Sequence, residues 1–374
     1  MTKNKKPTVS VIIPSYNHEN FIEECILSVL NQTYQDFEII ITDDGSSDYT
    51  VEIIERFSDP RIKLFKHPRN KGACVAANNC LQHASGKYIA MLSSDDAWYP
   101  EKLAEQVNFL EKHREIAAVF GKADWMDESS SLITNKFMPN FYIFEVENKT
   151  RFEWLKYFFL TGNCLCHPCS LVRKECYTEV GMFNPAFASL PDLDLWIRIC
   201  LKYDIHILDK KLIRFRKINN EGNASGYTNT TLIRNRFEHR QSLYHYLQIT
   251  NPDELLLIFP EAAQYGKLKT EIIPYFLGRI AIESKEDYKM LWGLDVIYAL
   301  LEDEMTAQTL EHYCNFTYLD FIKLAGECDT FKITGLSSAP MPMKKSAFRL
   351  FLSASKRYIK QLYFIVLQLF GNKE

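Results

Sequence analysis

Four short apolar runs near the start of the chain, each followed by a segment of a different character, limit its fold more than any other feature. The runs are Val9–Ile13, Phe37–Thr42, Arg61–Lys66 and Lys87–Leu92. Between them, Phe21, Cys25, Ile26, Val29 and Leu30 recur at helical spacing, Thr50–Phe57 follows a turn, and Asn70-Lys71-Gly72 opens a stretch running to His83. Asn20 is expected to cap the first of these helices, with Glu23 completing a capping box. Strand–helix alternation with strands apolar on both faces predicts an α/β fold: a mostly parallel, Rossmann-like sheet covered by helices on both sides. In such a sheet, ligands lie beyond the carboxyl ends of the strands. Three polar loops fall there: Pro14–Asn17, Asp43–Asp48 and Ser93–Asp96.

The last of these loops ends a strand in two hydroxyls and two adjacent carboxylates, Ser93-Ser94-Asp95-Asp96. Neighbouring carboxylates repel, and at a strand end both can turn toward one ligand. Mg²⁺ or Mn²⁺ with sugar and phosphate oxygens suits them, because hard cations prefer oxygen. The alternative is a solvated turn in which Ser94 or Asp95 caps the helix beginning near Pro100. Two acidic strand ends on one sheet edge favour a site. The first strand is followed by Pro14-Ser15-Tyr16-Asn17, so neither the dinucleotide fingerprint nor a Walker loop is present. A nucleotide bound here would be held by carboxylates and a metal.

Composition narrows the class further. The chain has 374 residues, 47% hydrophobic and 24% charged, which predicts a packed core. A net charge of −3 excludes nucleic-acid binding by bulk charge. Ten cysteines, a polar start at Met1–Pro7 and no apolar run of bilayer length predict reduced thiols and a cytoplasmic protein.

Val9-Ser10-Val11-Ile12-Ile13-Pro14-Ser15-Tyr16-Asn17, Ser28–Tyr34, Asp43-Asp44-Gly45-Ser46-Ser47-Asp48, Asn70-Lys71-Gly72 and Ser94-Asp95-Asp96 come in an order that strongly resembles the family 2 glycosyltransferases. The resemblance covers roughly residues 8–225. It implies a GT-A fold, a nucleotide-sugar donor, a divalent cation (Mn²⁺ or Mg²⁺) and inversion at the anomeric carbon. It implies that Pro14, Ser15, Tyr16 and Asp44 hold the donor's base, often uracil, with Asp44 accepting a ring N–H. Asn78 and Ser94 would line the donor, Asp95 would bind the ribose, and Asp96 would ligate the metal on the diphosphate. Asp43 is expected only to bond its own turn. Many members carry Asp where this chain has Ser93, and Arg where it has Ala77.

Further on, Glu101–His113 predicts an amphipathic helix with Leu103, Val107 and Leu110 inward, Ala117–Gly121 a strand, and Trp125–Asn140 a polar loop. Arg151–Leu160 reads as an aromatic-rich core helix. Cys164-Leu165-Cys166-His167-Pro168-Cys169 lacks the spacing of a zinc finger. In Pro191-Asp192-Leu193-Asp194-Leu195-Trp196, two carboxylates open a helix, and dipole compensation accounts for Asp194. The resemblance implies that Asp192 is the general base, although Pro191 stands where the family has Glu. Trp196 is open to two readings, acceptor wall or core. Lys211–Lys217 is strand-like; its Arg216 either meets a phosphate or is a solvated edge charge. Asn219–Thr228 resembles a flexible family element near the diphosphate, with Ile218 where members often have His.

From Asn229 the chain reads as helices: Leu232–Gln248, Glu254–Tyr265, Thr270–Ser284, Tyr288–Glu302 and Ala307–Leu324. The expected organisation is a catalytic domain over 1–228, a helical domain over 229–336, and a linker with a basic amphipathic tail over 337–374. The tail would lie on an anionic membrane surface, inside the cell, or dock on the protein or a second subunit. The expected function is metal-assisted transfer of a sugar from a nucleoside diphosphate to a hydroxyl of a glycan or lipid-linked acceptor. The alternative is a non-catalytic nucleotide-sugar-binding scaffold in a glycan-assembly complex, which Ser93, Ala77, Pro191 and Ile218 favour.

Overall fold

The computed structural model describes residues 6–138, 140–218 and 228–333. The loop at 219–227 and the linker and tail after 333, for which expectations were drawn above, lie outside the described residues. In chain order the elements are β1 (Val9–Ser15), α1 (Ile22–Leu30), β2 (Phe37–Asp43), α2 (Thr50–Glu55), β3 (Ile62–Lys66), α3 (Ala73–His83), β4 (Tyr88–Met91), β5 (Ala97–Trp98) and α4 (Lys102–Lys112). There follow β6 (Ile116–Met126), α5 (Arg151–Leu160), β7 (Leu171–Arg173), α6 (Lys174–Val180), α7 (Pro191–Cys200) and β8 (Asp204–Arg216). The helical remainder is α8 (Asn229–Leu243), α9 (Pro252–Ile258), α10 (Ile273–Glu283), α11 (Asp287–Leu301), α12 (Glu304–Cys314) and α13 (Tyr318–Glu327). Among the described residues, those up to 318 form one compact unit and those from 319 to 333 belong to a second.

One eight-stranded sheet runs in the order β3-β2-β1-β4-β7-β6-β8-β5. β3, β2, β1 and β4 are mutually parallel; β1, β2 and β4 are buried along nearly their whole length, as a parallel sheet requires, and β3 is the half-exposed edge strand. The other half is mixed: β7 is antiparallel to both β4 and β6, β8 is parallel to β6, and β5 is antiparallel to β8. Val11, Ile13, Ile39, Ile41 and Ala90 face the stripe of α1 formed by Ile22, Cys25, Ile26 and Val29 in one core cluster.

The Asn20–Glu23 capping box does not form. The helix starts at Ile22, and the Phe21 and Ile22 N–H groups both donate to the His18 carbonyl, at 3.0 and 2.9 Å. A complete box does form at α5, where Thr150 and Glu153 bond each other's backbone N–H. The expected helix over 254–265 breaks at Pro260, which lacks an N–H and cannot continue a helix, and a 3₁₀ turn follows. The expected helix over 307–324 is divided at Asn315, which adopts φ 50° and ends α12. Among the described residues, no helix is long and apolar enough to cross a membrane.

Candidate functional site

The strand order makes β2, β1 and β4 neighbours, so their carboxyl ends meet at one edge. Ser15 pairs in register with Asp43, and the Ser15 carbonyl accepts the Asp44 N–H at 2.8 Å. Asp43 does what its turn position predicts: one carboxylate oxygen accepts the Gly45 and Ser46 N–H groups at 3.1 and 2.9 Å. Asp44 is 2% exposed and is gripped from the loop after β3. The Gly72 N–H donates to it at 2.7 Å, the Lys71 N–H at 3.0 Å, and His67 Nδ1 lies 2.6 Å away. Asn17 (φ 52°) joins the first loop to the second: its N–H donates to Ser46 Oγ and its side-chain oxygen accepts the Ser47 N–H, both at 2.9 Å. Pro14 is the last residue but one of β1, Tyr16 is exposed, and the buried Ser15 hydroxyl has no hydrogen-bond partner among the described residues.

Gly45 makes this packing achievable. It sits at φ 80°, and a Cβ there would lie 2.7 Å from the Arg69 backbone, two residues before the Asp44 clamp. Gly45→Ala is therefore expected to cost about 2 kcal/mol or more, from left-handed strain and from forcing two backbones apart. A lowered melting midpoint checks this, together with weaker nucleotide binding; an unchanged midpoint contradicts it.

The acid pair lies at the end of β4. Asp96 is 2% exposed, and its carboxyl is pushed well above the usual range by burial and then by the charge of Asp95. Asp95 is also raised by burial, with the His18 charge opposing. His18 Nδ1 lies 2.6 Å from the buried Ser94 hydroxyl, so the first loop also touches this one. Arg216 is 1% exposed and clamps the turn from β8. Its N–H donates to Asp96 Oδ1 at 2.7 Å, its Nε to the Asp95 carbonyl at 2.6 Å, and its Nη1 to the Asp127 carbonyl at 2.8 Å, while Nη2 pairs with Glu24. Arg216 holds the acid loop and, being 1% exposed, is not the solvated edge charge that was one of its two readings.

Behind the pair, Trp98 Nε1 donates to the Pro168 carbonyl at 2.8 Å. The buried Lys102 ammonium stacks 3.8 Å over the Trp98 ring and donates to the Ser170 carbonyl at 3.1 Å. The Cys164–Cys169 segment thus serves through its carbonyls. Burial pushes the Cys164 and Cys169 thiols up to about 11, and His167 down to about 4.

Asp192 lies in the first turn of α7. Asn163 Nδ2 donates to its Oδ2 at 2.6 Å and the Leu193 N–H to its Oδ1 at 2.8 Å. Burial raises its carboxyl from 3.8 to about 6, against those hydrogen bonds. The approach to α7 is tied to α3: Cys74 Sγ meets the Phe187 carbonyl at 3.2 Å, and Asn78 exchanges hydrogen bonds with the Phe183 backbone at 2.8 and 3.0 Å. Because Gly72, at the head of α3, also holds Asp44, the Asp192 turn is anchored to the same edge as the β1, β2 and β4 loops. The Asn78 amide, expected among the donor contacts, makes this tie. Asp194 is not simple dipole compensation. It is a buried ion pair with Arg198 (2.7 Å) and His245 (2.7 Å), held below its usual range by both despite burial. Trp196 is fully buried, edge-on to Phe120 at 4.9 Å, and so belongs to the core.

Sequence reasoning missed His18, Glu24 and Asn163. None carries a local signal, since each acts on a partner far along the chain.

Comparison with known proteins agrees with this geometry. The family model "Glycosyl transferase family 2" matches residues 10–181. WfgD of Escherichia coli, a UDP-Glc:alpha-D-GlcNAc-diphosphoundecaprenol beta-1,3-glucosyltransferase, is 43% identical over 191 residues, covering 51% of this chain and 69% of WfgD. An uncharacterised glycosyltransferase of Rickettsia felis is 34% identical over 220 residues, covering 58% of this chain but only 35% of that protein. Among solved structures, S. aureus TarS (residues 1–349, complexed with UDP-GlcNAc) superposes with a TM-score of 0.54 at 20% identity, covering 82% of this chain and 90% of TarS. That likeness shows the fold, which is GT-A with a helical C-terminal region. With these matches and the ordered motifs at the sheet edge, the chain belongs to the family 2 glycosyltransferases.

Proposed function

We propose that the protein transfers a sugar, with inversion, from a UDP-sugar to a hydroxyl of a lipid-linked glycan acceptor. The observation that carries the mechanism is Asp192: a carboxylate raised to about 6 and oriented by Asn163. A single displacement needs one base to take the acceptor proton as its oxygen attacks. Asp192 is set to do this, being ionised at neutral pH yet more basic than a free carboxylate. The Asn163 N–H fixes its orientation.

On the donor side, Pro14, Tyr16 and the unpartnered Ser15 hydroxyl would meet the base, with Asp44 bracing that loop through its N–H to the Ser15 carbonyl and, as the family resemblance implies, accepting a ring N–H. Ser94 would line the donor and Asp95 would take the ribose. Asp96 fits a divalent cation, Mn²⁺ or Mg²⁺: its donor atoms are hard oxygens, and two buried carboxylates with raised pKa are relieved by positive charge. Bound there, the cation would supply Lewis-acid neutralisation of the leaving diphosphate. Arg216 holds this turn in place. The UDP donor and the diphospholipid acceptor are supported by the 43% identity to WfgD, and such an acceptor would bring the protein to the inner face of a membrane. The scaffold reading gives no reason for the oriented, raised Asp192 carboxyl.

The test is UDP release from UDP-sugars with Mn²⁺, followed against pH. Turnover should rise with pH through about 6, as Asp192 loses its proton, and then level off. No release from any sugar nucleotide, or a profile flat from about pH 5 to 8, would contradict the proposal.

A further inference from the structure

The sequence departs from the family at Pro191, immediately before the proposed base, and the structure shows what surrounds that departure. Glu238, in the middle of α8, is 1% exposed. One of its carboxylate oxygens accepts the Ala188 N–H at 2.9 Å, and the other accepts the Ser189 and Leu190 N–H groups at 2.9 and 2.7 Å. These are the three residues before Pro191, which has no N–H and takes the first position of α7. A carboxylate from the helical C-terminal part thus gathers the consecutive backbone donors that lead into Asp192.

The other arm of the base is held from the same side. Asn163 follows α5, and two carbonyls in its last turn are bonded from the C-terminal helices. His239 Nε2 is 2.9 Å from the Phe158 carbonyl, and the buried Lys289 ammonium donates to the Leu160 carbonyl at 2.5 Å. Tyr288 in turn bonds His239 Nδ1 at 3.0 Å. His245 completes the set on Asp194, two residues beyond the base.

We infer that Glu238 is a positioning residue for catalysis: it sets the segment 188–190 so that Asp192 meets the acceptor hydroxyl, and the C-terminal helices are therefore part of the catalytic apparatus. The inference rests on the reading of Asp192 as base. Charge-assisted hydrogen bonds to three successive N–H groups fix a loop in one conformation. Gln cannot do the same, because its amide NH₂ would face at least one of those donors. A shift of about 1 Å at a reacting group is enough to cost about 10²-fold in rate.

The experiment compares wild type, Glu238→Gln, Glu238→Asp and Asp192→Asn in the full chain, using UDP affinity, UDP release from UDP-glucose and other UDP-sugars with Mn²⁺, and amide hydrogen exchange. Glu238→Gln should keep the wild-type UDP affinity and donor KM while kcat falls about 10²-fold. Glu238→Asp, which retains both oxygens on a shorter stem, should recover part of that loss. Exchange should rise at residues 186–193 while β1 to β4 keep their protection. Wild-type kcat and exchange in both Glu238 variants, or loss of UDP affinity in step with rate, would overturn the inference. If Asp192→Asn turned over like wild type, the base reading would fall by itself. An inactive Asp192→Asn beside a fully active Glu238→Gln would sink only the role of Glu238. The exchange arm reads out even if no donor is turned over.

Discussion

Asp192→Asn is expected to lower turnover by about 10²–10⁴-fold, or ~3–5 kcal/mol of barrier, while UDP affinity stays at the wild-type value. The replacement is isosteric. It removes the basic oxygen that would take the acceptor proton, and it leaves the Ser15, Asp44 and Asp96 loops untouched. Stability should change little. Because burial raises Asp192 from 3.8 to about 6, its charged form is disfavoured in the folded chain. The stability linked to this group is fully present below pH 3.8 and is lost as pH rises through about 6. An uncharged residue escapes that loss, which offsets the one hydrogen bond its NH₂ cannot accept, from Asn163 or the Leu193 N–H, so the variant should melt within a few degrees (about 5 °C) of the wild-type midpoint at pH 7.5. Kinetics and melting curves together check this. Wild-type turnover in the variant would remove Asp192 from the mechanism.

Asp96→Asn should have the opposite profile: intact folding and lost donor binding. The Asn side-chain oxygen still accepts the Arg216 N–H, which in the native chain lies 2.7 Å from Asp96 Oδ1. The repulsion with Asp95 disappears, and with it the cost of burying a second charge. The cation, however, loses the carboxylate that would carry it. Changes to residues merely supporting a metal ligand cost roughly 10–100-fold in affinity, so loss of the ligand itself should exceed that. UDP binding should fall accordingly and become indifferent to Mn²⁺. A variant that is less stable than wild type but still binds UDP with Mn²⁺ would assign Asp96 to structure alone. If Asp96 carries the cation, function opposes stability there, as expected where a site holds like charges close together.

The parallel half of the sheet was legible because β1, β2 and β4 are continuous apolar runs and strand and helix segments alternate, and the acidic ends of β2 and β4 stood out at the edge where ligands bind. The mixed half was legible only in part, at Ala117–Gly121 within β6 and at Lys211–Lys217, which covers the end of β8. β7 spans only Leu171–Arg173, too short for any pattern, and β8 carries Asp209, Lys210 and Lys211 in its middle, which hides a strand of thirteen residues. Pro260 is itself the local signal for the break in the expected helix over 254–265. Within the site, the roles proposed for Asp44, Asp95, Asp96 and Asp192 rest on resemblance, since carboxylates in turns look alike in a single sequence. The residues that orient them are distant: Glu24 lies 192 positions from Arg216, and Glu238 lies 48 from Leu190. Such pairs exist only once the fold brings them together, and no local spacing announces them.

The most direct test of the account is a calorimetric titration of the full chain with UDP and with UDP-sugars, with and without Mn²⁺, run in parallel on Asp96→Asn. The account predicts saturable binding of UDP and of at least one UDP-sugar that needs Mn²⁺ and is lost in the variant. Binding of no nucleotide at all, or equal binding without the cation and in the variant, would contradict it.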